Sequence, residues 1–305
     1  LAGSRLGGVD RRRSSALAPP WPDLVLSAGR HNEPVARWLR RQSGGRAKLV
    51  HIGRPWAPLA AFDLIVTTPQ YFLPAAANVL HNRLPLHRID PDRARAAAAA
   101  LASELAMLPR PHTLVLLGGD SGPFVFTEDK AHRLAALVDD LVATGGGAVL
   151  ATDSRRTPAA ASAAFRAALR APCRFFAWSD PGPSRYLALL GAADLLVLTA
   201  ESMSMLAEAL AMAKPLHLFS LHDPEAWWRR AHNWRIKPLS HHLAMAFGPR
   251  RMRRDVTRML ELAVAEARAQ WLGAPPPPVT EPAPPVAPGD DLERAAQRVR
   301  ALFGA

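Results

Sequence analysis

The sequence predicts an α/β protein with two Rossmann-like lobes, each a parallel sheet flanked by helices. Short apolar segments bounded by turn residues alternate with helical stretches along most of the chain, which is typical of strands covered on both faces. This alternation pauses at a proline-bounded helix and then restarts, which indicates two lobes. The 305 residues, 49% hydrophobic and 21% charged, are enough for two globular cores.

The first lobe is predicted over residues 1–108. Residues 33–42 are predicted to form a helix, residues 74–90 a loop, and residues 91–108 an alanine-rich helix that connects the two lobes. Three apolar runs predict strands at residues 23–28, 48–52 and 62–67.

The second lobe is predicted over residues 109–272, where apolar segments again alternate with helical ones. A further amphipathic helix is predicted over residues 256–271. Residues 273–289 are proline-rich and are expected to form an extended linker, and residues 290–305 a C-terminal helix. The predicted strands of this lobe lie at residues 112–117, 148–152, 173–177, 194–199 and 215–219.

The net charge of +12 favours an anionic partner. Neither an RNA-binding motif nor a zinc-ligand spacing accompanies the arginines, so we expect no nucleic acid but a small anionic ligand or a membrane surface. The single cysteine, Cys173, excludes an internal disulfide and suits a reducing compartment. We therefore expect a cytoplasmic protein, and the charge leaves peripheral association with the inner membrane open.

The most informative motif is a glycine-rich turn after the first strand of the second lobe. It consists of Gly118, Gly119, Asp120, Ser121 and Gly122. Glycines permit close backbone approach and positive φ, and the N–H groups of such a turn and of the following helix can hold an anion. The spacing matches neither the dinucleotide fingerprint nor the Walker loop. The alternative is a tight strand-to-helix turn without a ligand.

A second polar segment, which contains Ser154, Arg155, Arg156 and Thr157, follows the next strand. Ligands of doubly wound sheets bind outside the carboxyl ends of the strands. Two arginines and two hydroxyls at that place could pair with phosphate or orient a base. The alternative is that Ser154 or Thr157 caps the next helix while both arginines are solvated.

A third polar segment, with Glu201, Ser202, Ser204 and Glu208, follows the strand at residues 194–199. The N-terminus of a helix favours negative charge, and Glu208 could accept hydrogen bonds from ribose hydroxyls. The alternative is capping by Ser202 or Ser204, with Glu208 placed favourably in the helix dipole. Because the three segments follow strands of one sheet, we expect them to converge on a cleft.

The first lobe offers a weaker catalytic pair, in which His31 is a general base and Glu33 orients it. A surface histidine beside a glutamate in the first helical turn is the alternative. No metal site is expected, because His241 and His242 are adjacent on a helix and point in different directions. Three tryptophans are expected to pack in the core or, alternatively, to border a lipid or sugar acceptor: Trp227, Trp228 and Trp234.

These segments together resemble the mitochondrial fission ELM family, a group common in bacteria. The similarity runs from about residue 22 to residue 219. It is carried by Pro22-Asp23-Leu24-Val25, Ala28-Gly29-Arg30, Phe62-Asp63-Leu64-Ile65-Val66-Thr67-Thr68-Pro69-Gln70-Tyr71, Asn78-Val79-Leu80, Gly118-Gly119, Asp153-Ser154-Arg155-Arg156-Thr157-Pro158, Ala193-Asp194 and Glu201-Ser202-Met203-Ser204-Met205.

The resemblance implies the GT-B architecture of two-lobed glycosyltransferases, such as the enzyme that adds GlcNAc to a lipid-linked peptidoglycan precursor. It implies that the Gly118 turn contacts the diphosphate, that residues 153–157 lie beside the nucleotide and that Glu208 holds the ribose. Such transferases use no bound metal, so a nucleotide-diphosphate sugar is expected as co-substrate and no cofactor. Family members begin with a further strand, glycine-containing loop and helix, so the first lobe is expected to be truncated at its N-terminus.

The sequence therefore predicts a metal-independent glycosyltransferase. It would bind a nucleotide-diphosphate sugar in the second lobe and transfer the sugar to an envelope or lipid-linked acceptor. One alternative is a non-catalytic scaffold of the fission-factor type, which the lack of a clear catalytic base allows. The other is a sugar-nucleotide epimerase of the same architecture, which no pair of carboxylates at a suggestive spacing supports.

Overall fold

The chain folds into two units in the computed structural model. The structure describes residue 6 and residues 9–10, 12–181, 183–223, 225–275 and 290–304. The first unit comprises Leu1–Pro85, Ala244–Asp255 and Gly289–Ala305, and the second comprises Leu86–Leu243 and Val256–Pro288. Each unit is built on one parallel sheet, which confirms the prediction of two Rossmann-like lobes flanked by helices.

The first unit has a four-stranded sheet in which the strands lie side by side in chain order. They are β1 (Leu24–Ala28), β2 (Lys48–Ile52), β3 (Leu64–Thr67) and β4 (Val79–His81). Helix α1 (Glu33–Gln42) connects β1 to β2, and Leu49, Phe62 and Ile65 are buried in the core. The predicted loop at 74–90 is wrong at β4, because a strand of three residues is too short to show a period and exists through its pairing with β3.

The second unit has a six-stranded parallel sheet in the order β10-β9-β8-β5-β6-β7. This is the strand order of the dinucleotide-binding Rossmann fold, in which strands are added first on one side of β5 and then, from β8 onward, on the other, and a crevice forms between β5 and β8. The strands are β5 (His112–Leu116), β6 (Ala148–Thr152), β7 (Cys173–Phe176), β8 (Leu195–Thr199), β9 (Leu216–Phe219) and β10 (Gln270–Trp271).

Helices cover this second sheet. Two of them, α4 (Glu128–Gly145) and α5 (Ala159–Ala168), pack on a core that contains Phe126, Leu134 and Phe165. The single helix predicted over residues 256–271 is wrong at its end, because residues 270–271 pair with β9. The helices after α1 are α2 (Pro91–Ala98), α3 (Ala102–Leu105), α4 (Glu128–Gly145), α5 (Ala159–Ala168), α6 (Tyr186–Ala192), α7 (Met203–Ala211), α8 (Ile236–Phe247), α9 (Thr257–Ala265) and α10 (Asp290–Arg300).

The unit boundaries differ from the predicted ones at both ends of the second lobe. The connector helix belongs to the second unit, because α2 packs on α6 so closely that a Cβ at Gly191 would lie 1.9 Å from the Ala94 carbonyl oxygen. Helix α10 belongs to the first unit, where the N–H of Leu84 donates to Asp291 at 2.9 Å. The predicted proline-rich linker lies outside the described residues from residue 276 onward.

Candidate functional site

The carboxyl ends of β8, β5 and β6 lie side by side in the second unit, and the three polar segments meet there. The hydroxyl of Thr157 lies 2.6 Å from the carbonyl oxygen of Gly118, which joins the second segment to the first. Arg156 Nη2 donates to the hydroxyl of Ser202 at 3.3 Å, which joins the second segment to the third. The structure therefore brings together the three segments that the sequence singled out.

The glycine turn is packed against protein groups. The N–H of Gly118 donates to Thr199 Oγ1 at 2.8 Å, and that of Gly119 donates to Glu201 Oε1 at 2.8 Å. A Cβ at Gly118 would lie 1.9 Å from Glu201 Oε1, and one at Gly119 would lie 2.0 Å from the carbonyl oxygen of Arg156. Close packing of the protein thus explains both glycines, and the two N–H groups expected to hold an anion are already bonded.

The rest of the turn also bonds to itself. Asp120 Oδ1 accepts a hydrogen bond from the N–H of Phe126 at 3.0 Å. The main chains of Ser121 and Phe124 exchange two hydrogen bonds of 3.0 Å, and Gly122 adopts a φ of +58° between them. Helix α4 begins only after this loop. The N–H groups at the N-terminus of this helix therefore lie beyond the turn that contains the glycines.

Glu201 lies in the crevice between the ends of β5 and β8 and is only 1% exposed. Oε1 accepts the Gly119 bond and lies 3.8 Å from Arg156 Nη2. Among the described residues, no group donates to its buried Oε2. Burial raises the pKa of Glu201, although the Gly119 N–H, the Thr199 hydroxyl, the N–H of Glu201 itself and the charge of Arg156 oppose the shift. This carboxyl can therefore hold a proton at the crevice where ligands of such sheets bind.

The hydroxyls of Ser154 and Thr157 close a turn instead of capping a helix. The N–H of Ser154 donates to Thr157 Oγ1 at 2.8 Å, and the two hydroxyls lie 2.9 Å apart. Pro158 occupies the N-cap position of α5 and provides no side-chain cap. The predicted capping by Ser154 or Thr157 is therefore wrong, because Thr157 is bonded across to the end of β5. The guanidinium of Arg155 is exposed.

The side chains of the third segment do not cap helix α7, which was the predicted alternative to ligand binding. Ser202 occupies the N-cap position of α7, but it makes no side-chain cap because its hydroxyl accepts from Arg156. Ser204 is exposed in the first turn of the helix. Glu208 Oε2 accepts a hydrogen bond of 2.7 Å from the hydroxyl of Tyr186. Burial and the neighbouring Glu208 raise the pKa of Tyr186, so this hydroxyl stays protonated and remains a donor.

A cleft of about 540 Å³ opens beside residues 152–156, at the carboxyl ends of β6 and β7. This volume lies within the range of small-molecule sites. Sequence reasoning missed its second wall, although aromatic residues directly after β7 were a signal for it. The cleft is lined by the cations Arg155, Arg156 and Arg185 and by the rings of Phe176, Trp178 and Tyr186, with Met205 and Asp180 among its other residues.

Asp153 holds the two walls of the cleft together. Its Oδ1 accepts a 2.6 Å hydrogen bond from the N–H of Trp178, and its Oδ2 accepts a 2.9 Å bond from the hydroxyl of Ser162 in α5. The ring of Trp178 is left 59% exposed. Arg185 lies 5.4 Å from the ring centre of Phe176 and donates to Glu104 Oε2 at 3.0 Å. The cleft thus offers an exposed indole beside charged side chains.

The predicted pair of His31 and Glu33 is not formed among the described hydrogen bonds. Glu33 is 3% exposed, and its two oxygens accept from the N–H groups of Trp56 at 2.6 Å and Ala57 at 2.8 Å. His31 is exposed and lies 3.5 Å from Arg30 Nε. Glu33 therefore stabilises the loop after β2 instead of orienting a base.

The tryptophans after β9 pack against one another at the surface. Trp227 stacks on His242 at 4.8 Å and lies 5.1 Å from Trp234. Trp228 and Trp234 are 59% and 55% exposed, so the prediction of core packing is wrong for these two. Across the described part of the chain, no group of three or more His, Cys, Asp or Glu side chains could hold a metal ion. Within the same residues, no helix combines the length and apolar character needed to cross a bilayer.

Solved structures with a similar course of the chain include two glycosyltransferases. A glycosyltransferase from Rickettsia africae is 11% identical, with a TM-score of 0.46, over 92% of this chain and 77% of that one. A family 9 glycosyl transferase from Veillonella parvula is also 11% identical, with a TM-score of 0.39, over 78% of this chain and 79% of that one. At these values the likeness says nothing about substrate or activity.

The sequence comparisons agree with the resemblance drawn from the motifs. The mitochondrial fission protein ELM1 of Arabidopsis thaliana is 27% identical over 219 residues, which cover 65% of this chain. The alignment covers 51% of the plant protein, so this chain spans about half the length of that relative. A family model described as mitochondrial fission ELM1 matches residues 4–301. The chain belongs to the mitochondrial fission ELM1 family.

Proposed function

We propose that the second unit binds a nucleotide-diphosphate sugar in the cleft beside residues 152–156, and that the protein transfers the sugar to an envelope or lipid-linked acceptor. The observation that carries the proposal is the exposed ring of Trp178 beside Arg155 and Arg156 at the carboxyl edge of a Rossmann-type sheet. Ligands of such sheets bind at this edge, and the cleft combines a surface for a base with cations for phosphate.

The rings lining the cleft favour binding of a nucleoside. The indole of Trp178 is more than half exposed and can stack on a base, while the Asp153 bond holds its main chain in place. Tyr186 lines the same cleft and donates to Glu208. Glu208 therefore reaches a ribose only beside, or in exchange for, the Tyr186 hydroxyl, which is a more specific role than the sequence suggested.

The arginines of the cleft favour binding of the diphosphate. Arg155 is exposed, and Arg156 is held toward the end of β8 by Ser202. Guanidinium groups pair with phosphate through charged hydrogen bonds of good geometry. Because the N–H groups of Gly118 and Gly119 are bonded to protein acceptors, the arginines take the role that the turn was expected to have.

In the proposed transfer, the bond between the anomeric carbon and the diphosphate oxygen breaks. The oxygen of an acceptor hydroxyl forms the new bond to the anomeric carbon, and the proton of that hydroxyl passes to the leaving diphosphate or to water. Arg155 and Arg156 offset the charge that develops on the leaving diphosphate, which is the form of electrostatic stabilisation that enzymes use most. This chemistry requires no metal ion and no cofactor besides the nucleotide sugar.

Calorimetric titration with UDP- and GDP-sugars tests the donor site. We expect binding to the native chain, and about a tenfold loss of affinity in Trp178→Ala and in Arg155→Gln, since one stacked ring or one charged contact is worth roughly 1–3 kcal/mol. Arg93→Gln, an exposed arginine on α2, is the matched control and should bind normally. The proposal fails if no nucleotide sugar binds, or if all three variants bind like the native chain.

The two alternatives differ in what the cleft must contain. An epimerase needs an acid and a base in the cleft, but Asp153 and Asp180 each accept a main-chain N–H, from Trp178 and Ala177. This arrangement disfavours the epimerase. A scaffold is favoured by the name of the plant relative and by the fully bonded Gly118 and Gly119. Nucleotide-sugar binding without transfer to any lipid-linked acceptor would favour the scaffold.

A further inference from the structure

Three arginines of the first unit lie near one another beyond the carboxyl ends of its strands. Arg30 follows β1 and Arg54 follows β2, and parallel strands end at the same edge of a sheet. Arg254 belongs to a segment that reaches this edge because the N–H of Asp255 donates to the carbonyl oxygen of Gln70, after β3, at 2.9 Å. We call Arg30, Arg54 and Arg254 the arginine cluster.

Neutral groups hold the arginine cluster in place. Arg54 Nη1 donates to the carbonyl oxygen of Arg253 at 2.8 Å and also to that of Met252. Arg254 Nε donates to Gln70 Oε1 at 3.0 Å. The guanidinium carbons of Arg54 and Arg254 each lie 5.9 Å from the ring centre of Tyr71. The two groups are therefore fixed around one ring.

The third member, Arg30, is the most accessible. Its guanidinium carbon lies 5.4 Å from the ring centre of Trp56, and its side chain is exposed. A guanidinium placed over a ring still presents the N–H groups at its edge to an anion. Arg30 thus offers donors to a ligand without giving up a bond to the protein main chain.

The charge of the cluster is not neutralised within the described residues. Among the described residues, the three guanidinium groups contact carbonyl oxygens, an amide, a histidine and aromatic rings. Burial, together with the positive charges of Arg254 and Arg30, lowers the pKa of Arg54. Elsewhere in the same unit, Arg40 and Arg46 pair with carboxylates. Gathering three like charges costs free energy that a bound dianion would offset.

We propose that the arginine cluster is a second anion site, which binds a phosphate or diphosphate group. The group comes from a lipid headgroup or from a free phosphorylated molecule, and both sources present the same oxygens to the three guanidinium groups. The proposal does not depend on the nucleotide-sugar site, because every residue that carries it lies in the first unit.

Titration of inorganic pyrophosphate into the full chain tests the site. We expect Arg30→Gln and Arg254→Gln each to weaken binding about tenfold, as expected for loss of one charged contact. Arg46→Gln removes the same charge at the opposite end of β2 and should bind like the native chain. Arg155→Gln removes a cation of the second unit's cleft, so it should weaken only pyrophosphate bound in that cleft and leave the binding that depends on Arg30 and Arg254. Thermal unfolding of each variant checks the fold, and Arg30→Gln breaks no bond to the main chain.

Vesicles of phosphatidylcholine, with and without phosphatidic acid, identify the source. Sedimentation with phosphatidic acid that is lost in Arg30→Gln but kept in Arg46→Gln supports the site and assigns it to a lipid headgroup. Pyrophosphate binding that is weakened about tenfold in Arg30→Gln, without vesicle binding, supports the site and assigns it to a free phosphate. The proposal is overturned if the native chain binds neither probe, or if Arg30→Gln and Arg254→Gln bind both probes like Arg46→Gln.

Discussion

The two sheets end differently at their carboxyl edges, and one buried glutamate in each unit shows the difference. Glu33 in the first unit accepts two main-chain hydrogen bonds, from Trp56 and Ala57. Glu201 in the second unit accepts one, from Gly119, and no described group donates to its Oε2. The first unit thus uses both oxygens of its buried carboxylate for structure, whereas the second uses one and leaves the other buried without a described donor.

This difference shows that a polar strand end is not by itself a ligand site. The glycine turn resembled an anion cradle because its N–H groups were counted as free. In the structure Gly118 and Gly119 bond to residues that follow β8, and the available cations lie elsewhere. Whether each donor is already hydrogen-bonded within the protein therefore decides whether a sheet edge can bind an anion.

The largest expected effect comes from filling the glycine turn. In Gly119→Ala the new Cβ meets the Arg156 carbonyl oxygen, a main-chain atom that cannot rotate away. We expect a loss of at least about 3 kcal/mol of unfolding free energy, or no folded protein. Gly145→Ala, at the end of α4 with open space around its Cβ, is the control and should be neutral or slightly stabilising. Urea unfolding measures both, and equal stability would contradict the packing described.

A smaller effect is expected from removing the two carboxylates. Glu33→Ala leaves two main-chain N–H groups without their acceptor and should cost about 2–6 kcal/mol, since each such loss is worth roughly 1–3 kcal/mol. Glu201→Ala removes one acceptor and should cost less. Urea unfolding of the two variants tests the order. If Glu201→Ala proves the more destabilising, the contrast between the two edges is wrong.

The smallest effect is a dependence on pH. Because burial raises the pKa of Glu201, the stability contributed by this carboxyl is full below the unfolded value of 4.5 and is lost as pH rises through the folded pKa. Glu201→Gln keeps an acceptor for Gly119 and does not titrate. Its melting temperature relative to the native chain should therefore rise as the pH is raised from 4.5 through the folded pKa. A constant difference across that range would show that the carboxyl ionises normally. Glu128→Gln, at the exposed start of α4, is the control.

Much of the fold could be predicted because its signals are local. The predicted strands at 48–52 and 148–152 coincide with β2 and β6, whose apolar runs are bounded by turn residues. The two shortest strands, β4 and β10, were missed because they exist only through pairing with a neighbour. The wall of the cleft after β7 was missed although aromatic residues follow that strand, because only the pairing of β6 with β7 brings Trp178 to residues 152–156.

By itself the sequence determined the parallel α/β class, the two lobes and the polar strand ends, because periodicity and composition act over a few neighbouring residues. The resemblance of its motifs to a known family indicated the family, which the family model then matched. Only the tertiary structure decided which of those polar groups are still available. Gly119 meets Glu201, and Arg254 meets Gln70, across long stretches of chain. Hydrogen bonds between residues so far apart depend on how the strands are ordered in the sheet, and no local pattern encodes that order.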